Sequence, residues 1–393
     1  MACIGPRPTR PGYEPLKIIV HCGTNKTGST AIQDTFAAKA ADLRARGVLY
    51  PALDSYTHHT RLLFACLADD EMWGSFGRND DDKRAAGVRQ SLDQWDILRQ
   101  FVDDSMPDTL VLSSEFVFGL RDGSLKRLRD RLAEFSEDID WIVYLRDPRG
   151  HYLSSAQQVL KFGAFVKDPR VSQLYASKYD KFETLFPGRI AARVFDRTTL
   201  TGGDVVTDLA SYLLPSDEGE PAPFRALSAN ETLSAEAMAL LSEFNREVWD
   251  TRRMPGNAIS KCVIQAIEDE ERHRRYTKPV LRPEIAEVVA RVHAADVLAL
   301  RDRAGIIFPT FDYDVAAQVG DADLADLAAA DRYATLSVGE IVDYDPDLLA
   351  RLRLRSMQAM ARRLSGPKPT TESAPPLPAA AASASAQPSA PGA

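Results

Sequence analysis

The residues most suited to chemistry gather in one short stretch, HCGTNKTGST, His21 to Thr30. Gly23 and Gly28 bracket four residues, the spacing of a phosphate-holding turn between a strand and a helix. Such a turn aims several backbone N–H groups at one point, and the dipole of the following helix adds positive potential there. Ser29 and Thr30 place hydroxyls at the helix start. In loops that hold nucleoside triphosphates, Lys follows the second glycine and reaches the β- and γ-phosphates, and the next hydroxyl holds Mg²⁺. Here Ser29 takes the position of that lysine, and the cation, Lys26, comes from the loop itself. The set suits an anion approached by a lysine from a different direction.

A turn of this kind needs a strand before it and a helix after it. PLKIIVHCG supplies a short, nearly continuous apolar run from Leu16 to Val20, as expected for a central strand of a parallel sheet. STAIQDTFAAKAADLRARG follows with Ile32, Phe36, Ala40 and Leu43 near helical spacing, stopped by Gly47. VLYP, DTLVLSSE, IDWIVYLRD and RIAARVFD read as further strands. Asp147 and Pro148 have the types expected at a helix N-cap and first turn, opening a helix that runs to Gly163. Strands alternating with helices imply an α/β fold, a parallel sheet with helices on both faces, where ligands bind at the carboxyl ends of the strands. The loop at 23–30, Glu115, Arg146 and Asp196 all fall there.

From about residue 228 the pattern is mostly helical. LSAEAMALLSEFNREVW carries Ala237, Leu240, Leu241, Phe244 and Val248 on one face, and PEIAEVVARVHAADVLALRDRAG reads as a second amphipathic helix. The expected organisation is an unstructured N-terminus over 1–15, an α/β domain over 16–310, an acidic helical extension over 311–364, and a Pro/Ala/Ser tail over 365–393. The stretch from Asp312 to Asp347 reads as solvated helix and loop. The tail has almost no large apolar residue to offset its ordering entropy, so disorder is expected there.

Composition sets the outer bounds. The chain has 393 residues, a hydrophobic fraction of 45% and a formal net charge of −8, which argue for a globular core and against a general nucleic-acid or anionic-membrane binder. A local basic pocket remains compatible with that charge. The four cysteines, Cys3, Cys22, Cys66 and Cys262, lie far apart and have no metal-ligand spacing. With no apolar leader at the N-terminus and no run of 18 apolar residues, a cytoplasmic protein without stable membrane insertion is expected.

The run KTGST, Lys26, Thr27, Gly28, Ser29 and Thr30, resembles the 5′-phosphosulfate loop of sulfotransferases that use 3′-phosphoadenosine 5′-phosphosulfate. The resemblance implies a P-loop-like fold, with Lys26 at the bridging oxygen that leaves with the adenosine phosphate and the loop amides and hydroxyls around the 5′-phosphate. The family also holds the 3′-phosphate with an Arg at a strand end and a Ser eight residues later. VYLRDPRGHYLSS provides Arg146 and Ser154 at that separation. An Arg forks to two phosphate oxygens, and a Ser two turns into a helix lies about 9 Å along its axis, within a long side chain's reach. VFDRTTLTGGDVVTDLASYL and NETLSAEAMALLSEFN are softer likenesses, so the resemblance spans roughly 16–310. The Arg-Lys-Gly loop of the aryl and steroid enzymes is not found, which suggests a bacterial or carbohydrate-type branch.

Sulfuryl transfer needs the donor held, the charge on the leaving oxygen neutralised, and a base for the acceptor proton. Lys26 and the loop serve the first two without a metal. For the base, SYTHHTRLLFACL places His58 and His59 after the second strand, where the family often carries it, and LVLSSE ends a central strand with Glu115. His59 is preferred, with Glu115 the other candidate if burial raises its pKa. The acceptor is expected to be a hydroxyl or amine of a carbohydrate or small molecule, and Tyr56, Trp73 and Phe76 are candidate sugar-facing aromatics. Two other classes stay open: a kinase or NTPase with a displaced lysine, predicting ATP and metal dependence, and a binding module without turnover.

Overall fold

The computed structural model describes residues 15–24, 26–72, 80–161, 163–172, 174–214, 224–227, 232–248 and 258–364. Apart from residue 15, the two ends expected to lack structure, 1–15 and 365–393, lie outside these, as do Trp73 and Phe76.

Five strands form one sheet: β1 (Lys17–His21), β2 (Val48–Leu49), β3 (Thr109–Ser113), β4 (Ile139–Leu145) and β5 (Ile190–Val194). All pairings are parallel, in the order β2-β3-β1-β4-β5. The apolar runs of β1, β3 and β4 place them at the centre, where both faces are covered. From β1 the chain leaves towards β2 and β3, whereas from β4 it leaves towards β5. The two routes diverge at the carboxyl ends of β1 and β4, and a crevice at that point is where such sheets take ligands. The 23–30 loop follows β1, and Arg146 follows β4.

Alternation along the strands divides the core. Ile19, Val111, Ile142 and Tyr144 face one side and pack on helix α1 (Ser29–Ala38) and on Leu43 of α2 (Ala40–Arg44). Ile18, Val20, Leu110, Leu112, Trp141 and Val143 face the other, against α3 (Asp81–Ser105) and α4 (Asp122–Ala133). The continuous helix expected after the loop is broken at Lys39, which has left helical geometry at φ −104°, ψ 16°.

After β4, Asp147 caps α5 (Pro148–Leu160) by accepting from Arg149 N at 2.8 Å, with Pro148 in its first turn, as the sequence suggests. Helix α6 (Tyr175–Leu185) joins the Trp141 side of the sheet and α7 (Val205–Leu213) the Ile19 side, so helices cover both faces.

The later chain is helical: α8 (Ala235–Val248), α9 (Ala258–His273), α10 (Pro283–Val292) and α11 (Ala294–Ala304). The single helix expected over the last pair is interrupted at His293. Tyr152, Ala156 and Leu160 of α5 share a third core with Met238, Ile267 and Val289 of these helices.

The acidic stretch forms α12 (Tyr313–Ala316), α13 (Asp321–Ala329), α14 (Val338–Ile341) and the start of α15 (Pro346–Leu364). Most of its residues are exposed, as expected of solvated helix and loop. Its carboxylates serve helix starts, as when Asp312 accepts from Asp314 N and Val315 N. Tyr333, Leu336, Ile341 and Val342 meanwhile turn into the third core.

Candidate active site

The loop is anchored to β4 before it turns. Cys22 N donates to Ile142 O at 2.8 Å, and both the amide and the hydroxyl of Thr24 reach Tyr144 O, at 3.2 and 3.1 Å. Lys26 and Gly28 then adopt left-handed backbone, at φ 70° and 77°. Residues of this kind turn neighbouring N–H groups towards a common concavity, the geometry of anion-holding nests. A glycine is needed at 28. Besides its φ, a Cβ there would stand 2.8 Å from Val205 Cγ1 and 3.1 Å from Phe195 Cε2.

Gly28 precedes α1, whose first helical bond is Ile32 N to Gly28 O, and no side chain caps this end. The first-turn amides are therefore left for a ligand. Thr27 donates its hydroxyl to Thr24 O at 2.6 Å. Ser29 Oγ is buried and lacks a hydrogen-bond partner, the condition expected of a group that receives one from a bound molecule. Thr30 is exposed.

Arg146 and Lys26 meet at this loop. Arg146 Nη1 donates to Lys26 O at 3.1 Å, and its guanidinium lies over the Phe195 ring, 5.7 Å from the centroid. Lys26 Nζ in turn donates to Gln158 Oε1 of α5 at 2.6 Å. A Cβ on Gly150 would come within 3.0 Å of Arg146 Nε, so the first turn of α5 is open where the arginine crosses it. Gly150, Ser154 and Gln158 are spaced four apart and share one helix stripe. Tyr152, Ala156 and Leu160 form a second stripe, offset by two residues, about 200° around the helix. One stripe of α5 is buried in the helical core, and the other faces the two cations with Ser154 between its contacts.

The electrostatics favour an added negative charge. Burial, then the proximity of Lys161 and Arg146, lowers the pKa of Lys26, with Glu115 the sole carboxylate among the principal influences on it. Burial likewise lowers Arg146, opposed by Tyr175, Asp147 and Asp196. Both groups would regain their ordinary ionisation beside an anion.

Glu115, half-buried just beyond β3, has its carboxyl pushed up by desolvation, and Lys26 pulls it back only in part. His59 is placed differently. Its Nδ1 accepts from Ser113 N at 2.9 Å and its Nε2 donates to Pro51 O at 2.9 Å, so both nitrogens are committed to the fold. Desolvation holds it at about 4, and only 4% of it is exposed. In this arrangement His59 has no nitrogen left for an acceptor proton. His58 is half-buried and stacks on Tyr56 at 5.1 Å. Asp196 is occupied in its own turn, accepting from Thr198 N and Oγ1 at 2.8 and 2.6 Å. Among the described residues, no cluster of three or more His, Cys, Asp or Glu side chains is arranged to hold a metal ion.

The structure thus holds Lys26, Gly28 and Ser29 in one loop, brings Arg146 onto that loop beside the α5 stripe that carries Ser154, keeps Glu115 within electrostatic range of Lys26, and sets His59 apart as a buried tie. It adds Gln158, Gly150 and Phe195, which sequence reasoning did not single out. The first two carry a signal in hindsight: they continue the four-residue spacing through Ser154.

Neither a protein-family model nor a curated protein matches the chain. Among solved structures, a sulfotransferase domain from the curacin biosynthetic pathway is 12% identical, with a TM-score of 0.29, over 65% of this chain and 98% of that one. A sulfotransferase domain from the Synechococcus PCC 7002 olefin synthase is 14% identical, with a TM-score of 0.24, over 61% and 98%. At these scores the likeness carries no weight beside the geometry. Among the described residues no helix is long and apolar enough to cross a membrane.

Proposed function

We propose that the chain is a sulfotransferase that moves a sulfuryl group from 3′-phosphoadenosine 5′-phosphosulfate to a hydroxyl or amine of a carbohydrate or small molecule. The observation that carries this reading is the joining of Lys26, Arg146 and the Ser154 stripe of α5 at the mouth of one loop. The unpartnered Ser29 hydroxyl and uncapped α1 amides fit a 5′-phosphate. Arg146 and Ser154 fit a second phosphate on the ribose, Arg146 by its fork.

The donor, when bound, supplies an activated sulfuryl group. The residues of the chain then divide three tasks. The loop amides and Ser29 hold the phosphate, which fixes the reacting atoms in place. Lys26 neutralises the negative charge that builds on the phosphate oxygen as its bond to sulfur breaks. Glu115 takes the proton of the acceptor as the new bond to sulfur forms, a task suited to a carboxylate whose pKa is raised by burial. Glu115 is preferred to His59 because both His59 nitrogens are already committed.

Thermal denaturation beside two ligands tests the reading. Adenosine 3′,5′-bisphosphate at 100 times its Kd adds about 2.7 kcal/mol of stability to a protein that binds it only when folded. Stabilisation by that ligand, without a requirement for Mg²⁺, is expected. Stabilisation by ATP with Mg²⁺ alone would sink the reading and favour a kinase or NTPase.

A further inference from the structure

Beneath the loop lies a polar group that none of these roles uses. His21, the last residue of β1, is wholly buried. Its Nδ1 is 2.9 Å from Ser113 Oγ, and Gln33 Nε2 of α1 donates to that same oxygen at 3.1 Å. With the Gln33 bond accepted, two acceptors face the Ser113 hydrogen: His21 Nδ1 at 2.9 Å and the nearby Tyr50 oxygen, whose own hydrogen goes to Thr57 O; only the His21 contact has hydrogen-bond geometry, and it takes the hydrogen. The histidine is then the tautomer with its proton on Nε2.

That Nε2 is buried and has no hydrogen-bond partner, the same condition as Ser29 Oγ. Both atoms border one small hollow. A Cβ on Gly23 would lie 3.2 Å from His21 Nε2, 2.8 Å from Ser29 Oγ and 2.8 Å from Thr27 Oγ1. The Thr27 hydroxyl is already committed to Thr24 O. The lack of a side chain at Gly23 therefore leaves a desolvated donor and a desolvated hydroxyl facing the same space, at the start of a ten-residue helix.

We propose that His21 is a positioning residue for the bound anion, donating its Nε2–H across the Gly23 hollow to Ser29 Oγ when the anion is held. The donors then run in one direction, from Gln33 to Ser113 to His21 to Ser29, and end in the Ser29 hydrogen aimed at an anion oxygen. Each bond in such a chain polarises the next, so Ser29 becomes a stronger donor than a lone serine. The inference rests on the sulfotransferase reading only for the identity of the ligand. The chain of donors would serve any phosphate oxygen in the loop.

The test is a double-mutant cycle read by equilibrium binding of adenosine 3′,5′-bisphosphate. His21→Ala and Ser29→Ala should each weaken binding by about tenfold, and the double variant by little more than the worse single. Losses that multiply to about a hundredfold would overturn the proposal. Nitrogen-15 NMR of the histidines is a second readout, and its first part needs no variant. The His21 proton should sit on Nε2 in the free wild-type protein, and its resonance should move on ligand addition in wild type but not in Ser29→Ala. A proton on Nδ1 would overturn the proposal regardless of ligand. If wild type ignores adenosine 3′,5′-bisphosphate, the sulfotransferase reading fails, and the cycle is repeated with inorganic pyrophosphate. Coupling with pyrophosphate then upholds the role of His21, and additivity or no binding ends it.

Discussion

Two buried histidines meet the same serine through different atoms. His21 touches the Ser113 hydroxyl, and His59 accepts from the Ser113 amide. Both are held at about 4 by desolvation. They differ in one atom. His59 has both nitrogens engaged, whereas His21 keeps an unpartnered Nε2 beside the loop. Burial and a shifted pKa therefore do not separate a structural histidine from an available one, but the hydrogen-bond inventory does. The same contrast divides the carboxyl edge of the sheet. On the β1–β4 side His21 Nε2 and Ser29 Oγ await a partner, whereas both nitrogens of His59 are sealed.

The hardest blow to that contrast would come from Lys26. Lys26→Ala keeps a residue with a Cβ at the left-handed position but removes the ammonium. On the proposed chemistry kcat should fall by about 10²–10³-fold, the cost of losing one group that stabilises charge in the transition state. Turnover within a few fold of wild type would show that the open side of the sheet is not the reacting side.

Next in size is the base. Glu115→Gln should lower kcat by about 10²-fold. It should also remove the acidic limb of the rate profile. The Glu115 carboxyl sits above its usual 4.5, and a base works deprotonated, so wild-type kcat rises as pH climbs through the raised value and then levels. His59→Gln should keep that limb and most of its turnover in the fraction that folds. An acidic limb lost in His59→Gln and kept in Glu115→Gln would reverse the two assignments.

Arg146→Lys sharpens the picture within the open side. The substitution keeps the charge and loses the fork. Affinity for adenosine 3′,5′-bisphosphate should drop by roughly ten- to thirtyfold, the scale of a charge-assisted hydrogen bond. Affinity for adenosine 5′-phosphate, which lacks the second phosphate, should barely change. Equal losses for both ligands would place Arg146 elsewhere than at the 3′ position.

How much of this was legible in the sequence follows from the range of the forces involved. The strands announced themselves because a centrally buried parallel strand must be apolar throughout, as in Ile18 to Val20 and Ile142 to Leu145. The loop was legible because Gly28 answers a local demand, its φ of 77°. The Asp147–Pro148 start of α5 was legible for the same reason. The breaks at Lys39 and His293 were not, since the apolar spacing runs on across them and tertiary packing decides where the axis turns. Nor was the fate of His59. Its partners, Pro51 O and Ser113 N, are backbone groups 8 and 54 residues away that leave no mark in residue type. Ser29 had the opposite fate, because a hydroxyl after Gly28 was visible but its lack of a partner was not.

The smallest effect probes the sealed side alone. His59 titrates near 4 in the folded protein, chiefly through desolvation, against an ordinary value of 6.5. Between those values the unfolded chain binds a proton at this residue and the folded chain does not. Stability contributed by neutral His59 is therefore present above about pH 6.5 and is lost as the pH falls towards 4. Urea unfolding at a series of pH values should show wild type losing stability faster than His59→Gln, by up to about 1.4 kcal/mol per pH unit between pH 4.5 and 6. The variant is expected to be less stable in absolute terms, because glutamine cannot bridge Pro51 O and Ser113 N as the ring does, so the difference in slope is the quantity to read. Parallel curves would mean that the folded protein protonates His59 as readily as the unfolded chain. One of its nitrogens would then be open to a proton, and His59 would return as a rival to Glu115 for the acceptor's proton.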